Sequence, residues 1–172
     1  NSFILGVLVS DTAVGIYSSV EKLVKVGQSI INALPMAIFP HASRLFSGKD
    51  MRENIAKLRK MLCVSFALLF VVVVLFACSP RLVVWYLPEL DYTVAKYLVW
   101  LMSPVILFGS LNYISGIVGL VNLGAANLFE RNIWIVGITS VLLMLLFCKE
   151  YTYYAAAATW SCAEALLFFL CL

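Results

Sequence analysis

Apolar residues run along this chain in stretches long enough to cross a bilayer, and polar residues break them at a few well-defined places. Residues 3–10 read as the end of a span that begins upstream, and Asp11-Thr12 interrupts the run and caps the next helix. A second span is predicted over 13–39, kinked by Pro35 and ended by Pro40. Residues 41–60, from His41 to Lys60, read as a basic loop. Within it Asp50 and Glu53 have capping-box spacing, so the following helix starts before it enters the bilayer. A third span, 61–79, carries the valine run 71–74 and ends at Pro80. Residues 81–92 hold Trp85, Tyr86, Pro88, Glu89, Asp91 and Tyr92, a mixture suited to the headgroup layer. The fourth span, 93–123, is interrupted by Pro104 and Gly109. In its second half Asn112, Ser115, Gly116, Gly119 and Asn122 share a face, where small residues allow close approach and the asparagines bond across the contact. The fifth span is 132–148, followed by a tight turn at 149–151. The sixth is 152–172, with an alanine run at 155–158 and one acid, Glu164.

The second span differs from the rest. On a helix, Ser18, Glu21, Lys22, Lys25, Gln28, Ser29 and Asn32 fall within one arc of about 120°, and no apolar residue of 18–32 shares it. Val20, Leu23, Val24, Val26, Ile30 and Ile31 lie outside it. Such a helix cannot face lipid all round. One side meets hydrocarbon and the other needs water, protein or a polar ligand.

Composition supports the membrane reading. Of 172 residues, 63% are hydrophobic and 12% charged, about half the charged fraction of soluble domains. Mean hydropathy is +1.01. The length accommodates five full spans of about 20 residues with short loops. The fold class expected is therefore all-α: a polytopic transmembrane bundle of about five full spans plus the end of a sixth. The chain opens inside an apolar run without Met or a signal peptide, and is expected to be a piece of a longer protein. Cys63, Cys78, Cys148, Cys162 and Cys171 form no C-x-x-C pair and read as buried, free, apolar side chains.

Charge placement orients the bundle. Arg44, Lys49, Arg52, Lys57, Arg59, Lys60 and Arg131 lie on one side, against Arg81, Lys96 and Lys149 on the other. Seven against three puts the loops 41–60 and 124–131 in the cytoplasm. No catalytic constellation is visible. The single histidine, His41, follows Pro40 at a membrane boundary and reads as a surface residue, and no phosphate-binding loop for ATP is present. No enzyme activity, metal, cofactor or nucleic-acid partner is expected, and uphill transport would draw on an ion or substrate gradient.

Lys25 lies about twelve residues, or about 18 Å, into its span and is assigned to a cavity wall. Glu21 and Lys22 are open between the cavity and the interface, and Glu21 can pair with Lys25 at i, i+4. Gln28 and Asn32 continue the same cavity face. Glu164 is open between an ion or proton site and a bond to a neighbouring helix. Arg44 reads as an interfacial anchor, and Trp85-Tyr86 as belt residues.

Three stretches carry a family resemblance. Val14-Gly15-Ile16-Tyr17-Ser18, then Glu21-Lys22-Leu23, then Phe39-Pro40-His41-Ala42-Ser43-Arg44-Leu45-Phe46, resemble a "VGxYS…EKL…PxxSRLF" stretch of the Wzx-type O-antigen flippases, within the MOP (MATE-like) superfamily. The stretch from Gly116 through Asn122-Leu123-Gly124 to Phe129 is similar to the Gly-punctuated loop between that family's tenth and eleventh helices. The alanine run 155–158 with Glu164-Ala165-Leu166-Leu167 looks like its last elements.

The resemblance implies that the chain is the second of two six-helix bundles, from the end of the seventh helix to the twelfth. It implies a bacterial cytoplasmic-membrane location and a partner bundle in the same or another chain. It implies alternating-access export of undecaprenyl-pyrophosphate-linked oligosaccharide for surface polysaccharide biosynthesis, with Lys22 and Lys25 meeting pyrophosphate or acidic sugars. Two other readings are carried forward: a multidrug or cation antiporter of the same fold, and a non-transporting membrane scaffold subunit.

Overall fold

The computed structural model describes residues 2–45, 51–88 and 90–171, and their side chains except at 30, 33–45, 51 and 82. Every regular element among these residues is helical. Helix α1 (Ser2–Leu8) leads into α2 (Asp11–Leu45). The Ser10 hydroxyl accepts from the Ala13 N–H at 3.2 Å, so Ser10 takes the capping role expected of Asp11. Asp11 instead sits in the first turn, where its charge suits the helix dipole.

Helix α2 continues through Pro35 and Pro40 to Leu45, past its expected end. Each proline removes a single backbone donor, whereas ending the helix would free several backbone groups in apolar surroundings. The expected loop 41–60 is accordingly mostly helix, with α2 holding 41–45 and α3 (Met51–Ala77) holding 51–60. Lys49 and Asp50 lie outside the described residues, as do the side chains of His41 and Arg44. Glu53 pairs with Lys57 at 2.8 Å.

Pro80 opens a short helix, α4 (Pro80–Tyr86), at a position where no donor is required. Trp85 and Tyr86 stand exposed on it. Asp91 caps α5 (Tyr92–Asn112), its carboxylate accepting from the Thr93 N–H at 2.6 Å.

Helix α5 is not interrupted at Pro104 or Gly109 as expected. The carbonyl that Pro104 leaves free, that of Trp100, accepts from the Ser103 hydroxyl at 3.0 Å, and the next carbonyl, Leu101, accepts from Ser161. Local replacement bonds of this kind let a proline sit inside a membrane helix. The irregularity comes later: after Asn112 the chain widens into a π-helix, Tyr113–Val121. This ends in a Schellman turn, with Ala125 N–H to Leu120 O at 2.8 Å and Gly124 N–H to Val121 O at 3.1 Å. Gly124 has φ +79°, the left-handed conformation this turn requires.

Helix α6 (Ala126–Leu170) absorbs most of the expected 124–131 loop. It is one element in name only. At Thr152 the backbone reaches φ 49°, ψ −125°, one residue beyond the expected turn at 149–151. The Asn132 amide donates to the Leu170 carbonyl at 2.7 Å, so the two arms lie antiparallel as a helical hairpin. A straight helix of 45 residues would be about 68 Å long, more than twice a hydrocarbon core.

Among the described residues, three helices are long and apolar enough to cross a membrane: Arg52–Ala77, Tyr92–Val121 and Ala126–Leu170. The middle one is the central post of the molecule. Leu98, Val99, Met102, Val105 and Leu111 on α5 are fully buried against Tyr17, Val20 and Val24 of α2 and Met144, Ala156 and Ala157 of α6. Helix α3 turns Val64, Leu68, Val71 and Leu75 outward, the kind of surface that hydrocarbon solvates. Helix α5 and the second arm of α6 run parallel: Tyr97 meets Tyr154, Leu101 meets Ser161 and Phe108 meets Phe168 in ascending order.

Candidate functional site

The polar stripe of α2 is divided by the fold. Tyr17, Val20 and Val24 form the core-facing side, and the stripe lies along its flank. Lys22 and Ser29 are exposed. Glu21 and Lys25 form an ion pair at 2.5 Å, with the Glu21 side chain 16% exposed and that of Lys25 60% exposed. The Ser2 hydroxyl donates to Glu21 Oε2 at 2.9 Å, tying α1 to the pair. The Lys25 ammonium lies 5.7 Å from the centroid of the Trp160 ring. Tyr17, Glu21, Lys25, Ser140 and Trp160 line a cavity of about 230 Å³. One wall comes from α2 and the others from both arms of the α6 hairpin.

Chemically, this cavity offers an accessible ammonium, an aromatic face and a hydroxyl. Such a set can hold an anionic group and stack a ring or sugar face beside it. The carboxylate of Glu21 tempers the field, since it neutralises Lys25 when no other anion is present.

Deeper along α2, Gln28 points inward and donates to the Val105 carbonyl at 2.8 Å. Asn32, one turn further, has its Oδ1 buried with no hydrogen-bond partner. Thus Glu21 and Lys25 line the cavity, Gln28 faces α5, the Asn32 amide oxygen is buried, and Lys22 faces outward.

A second polar centre forms where α2, α5 and α6 converge. The Asn112 amide donates to Glu164 Oε2 and to the Glu164 carbonyl, both at 2.8 Å. The Gln28 amide packs directly on Gly109, where any Cβ would collide with it, and that same Cβ would lie 3.6 Å from Glu164 Oε2. Gly109 therefore does not interrupt its helix. Its missing side chain is what lets the three polar groups gather. Asn122 does not bond across a helix contact as expected, but donates to the Val118 carbonyl of its own turn at 2.9 Å. The close approach expected of the small residues is present: Gly116 lies under the Phe129 ring, and Gly119 under Leu58.

The partnership of Asn112 with Glu164 spans 52 residues, and the sequence carries no local signal for it beyond a lone acid and a lone amide in apolar runs. No trio of His, Cys, Asp or Glu gathers among the described residues. All five cysteines are free, but Cys63, Cys78 and Cys162 are exposed rather than buried, because an apolar run does not reveal which side of its helix faces outward. No family model, curated protein or solved structure matches the chain.

Proposed function

We propose that this chain is the second bundle of a membrane carrier for a lipid-linked oligosaccharide, of the Wzx-type flippase kind. In this reading the membrane is crossed by α2, by α3, by α5 with its π-helix, and by both arms of α6. The carrying observation is the cavity at Lys25. Helix α2 presents a cation and an acid, and α6 the aromatic face of Trp160, to a pocket of about 230 Å³. Charged groups placed in this way are costly in a membrane and typically mark a solute pathway. The ammonium suits pyrophosphate or acidic sugars, and Trp160 suits a sugar face. A partner bundle would close the cavity, and rocking of the two bundles would expose it to each side in turn.

The test is complementation of a bacterium lacking its O-antigen flippase, using this chain joined to a first bundle. Surface polymer should be restored, and Lys25→Ala should abolish it without lowering expression. Normal export by Lys25→Ala would exclude the assignment of the cavity.

One observation favours the scaffold reading: Gln28 and Asn112 bond across helices, as tight structural packing requires. In a scaffold the 18–32 face would be closed to water. The antiporter reading expects an acidic aromatic cavity for cationic drugs, and here two lysines accompany one glutamate on the stripe.

A further inference from the structure

The bend at Thr152 folds α6 into two arms, and on the second arm Ala155, Ala158, Thr159 and Cys162 share one face at i, i+3, i+4 and i+7. These side chains are too short to fill the space that separates them from Leu143 and Phe147 on the first arm and Leu101 on α5. The result is a cavity of about 380 Å³, bounded toward the bend by Tyr151 and Tyr154. Trp160, which lines the Lys25 cavity, projects from the opposite side of the second arm. The two cavities therefore use different faces of that arm.

The lining of this second cavity is carbon almost throughout. The Tyr154 side chain is hydrogen-bonded to Tyr153, and Tyr151 stands at the exposed mouth. Thr159 and Cys162 alone are poor company for water, which needs about two to four polar partners to stay in a cavity. Phe147, Tyr151 and Cys162 are exposed, so the cavity opens outward, beside the exposed Leu142 and Leu146. That is a surface which hydrocarbon solvates.

Its dimensions narrow the occupant. From Tyr151 to Cys162 the second arm rises about 15 Å, which is half of a hydrocarbon core of about 30 Å. The tyrosines 151, 153 and 154 mark the headgroup end, where such side chains settle. A volume of about 380 Å³ lies at the lower end of the range for small-molecule sites, about 300–1,000 Å³, and suits one chain rather than a whole two-chain lipid. Lys149 and Glu150, both exposed just before Tyr151, are opposite in charge, so the headgroup is not selected by its sign.

We propose that this cavity binds one acyl chain of a membrane phospholipid, drawn from the leaflet on the Lys149 side. The chain lies between the two arms of α6 and against Leu101, and fills the volume that the small face of the second arm leaves. A single-leaflet depth matches an acyl chain and is too short for a polyprenyl chain. The site is separate from the Lys25 cavity and does not require the oligosaccharide reading.

The experiment is native mass spectrometry of the full chain, reconstituted in vesicles of dioleoylphosphatidylcholine and decaprenyl phosphate in equal amounts and then released into detergent. Detergent strips lipid from an open surface such as that of α3, whereas a chain held between helices stays. The expected result is one phosphatidylcholine retained on the wild-type chain and lost from Ala158→Phe, which puts a ring into the cavity. Cys162→Phe fills the same space from an exposed position, so it carries the test if Ala158→Phe fails to fold. Retention of no lipid overturns the proposal. So does a phosphatidylcholine that survives in the folded Phe variants, which would place it elsewhere. Retention of decaprenyl phosphate in preference to phosphatidylcholine also overturns it, and gives the cavity to an isoprenoid chain.

Discussion

Two helices of this protein carry a polar stripe on an apolar body, and the fold treats them differently. On α2, the stripe flanks the core: Lys22, Lys25 and Ser29 reach outward, while Glu21 and Gln28 find partners. On α5 and the π-helix, the stripe of Gly109, Asn112, Ser115, Gly116 and Gly119 is sealed into helix contacts, beneath Gln28, Glu164, Phe129 and Leu58. Side-chain size and charge account for the difference. Glycine, serine and asparagine are small enough to lie between helices, where one amide can satisfy a neighbour. Lysine needs either an open cavity or a path to water. The same pattern of periodicity thus yields an interface in one case and a cavity wall in the other.

Substitutions on the sealed stripe should have the largest effects. Gly116→Leu drives a side chain into the Phe129 ring and should cost about 3 kcal/mol, near the upper end for overpacking, read as a lowered unfolding midpoint in detergent. Asn112→Leu removes one of the two side-chain donors to Glu164, the other being Trp160, and should cost about 2 kcal/mol by the same assay. If it proves neutral, Glu164 is held by something other than this bond.

Smaller effects are expected where the backbone alone is concerned. Gly124→Ala places a Cβ at φ +79° and should cost about 1 kcal/mol. Thr152 is the reverse case, a β-branched residue at φ 49°. Thr152→Gly should gain up to about 1 kcal/mol, or at least fail to destabilise, if the hairpin bends there. On the open stripe, Lys25→Ala should change stability by less than about 0.5 kcal/mol, because the Lys25 side chain is largely exposed and an i, i+4 pair contributes little. A loss comparable to that of Asn112→Leu would mean that Lys25 is part of the packing, and the contrast between the two stripes would fail.

Helix content was legible in the sequence because apolar runs of span length leave few alternatives. The boundaries were less so. Pro40 and Pro104 suggested an end and an interruption, but a proline removes only one donor, and Ser103 replaces what Pro104 takes away. The turn before the last arm was read to within one residue, since Lys149 and Glu150 mark it chemically, although the strained residue is Thr152. The π-helix had no visible signal, because its composition is that of any small-residue membrane helix. For the candidate site, the i, i+4 pairing of Glu21 with Lys25 was local and could be read from spacing. The convergence of Gln28, Gly109, Asn112 and Glu164 depends on how three distant helices register, which periodicity does not encode.

A carrier of this kind needs the α2 stripe to be open to water within a membrane. A cysteine-free version of the chain, inserted in native membranes, would receive single cysteines across 18–32 and a water-soluble thiol reagent. Labelling is expected at 22, 25 and 29, and protection at 20 and 24, which are buried in the core. Protection throughout 18–32 would contradict it, leaving the stripe as packing surface and the protein as a scaffold.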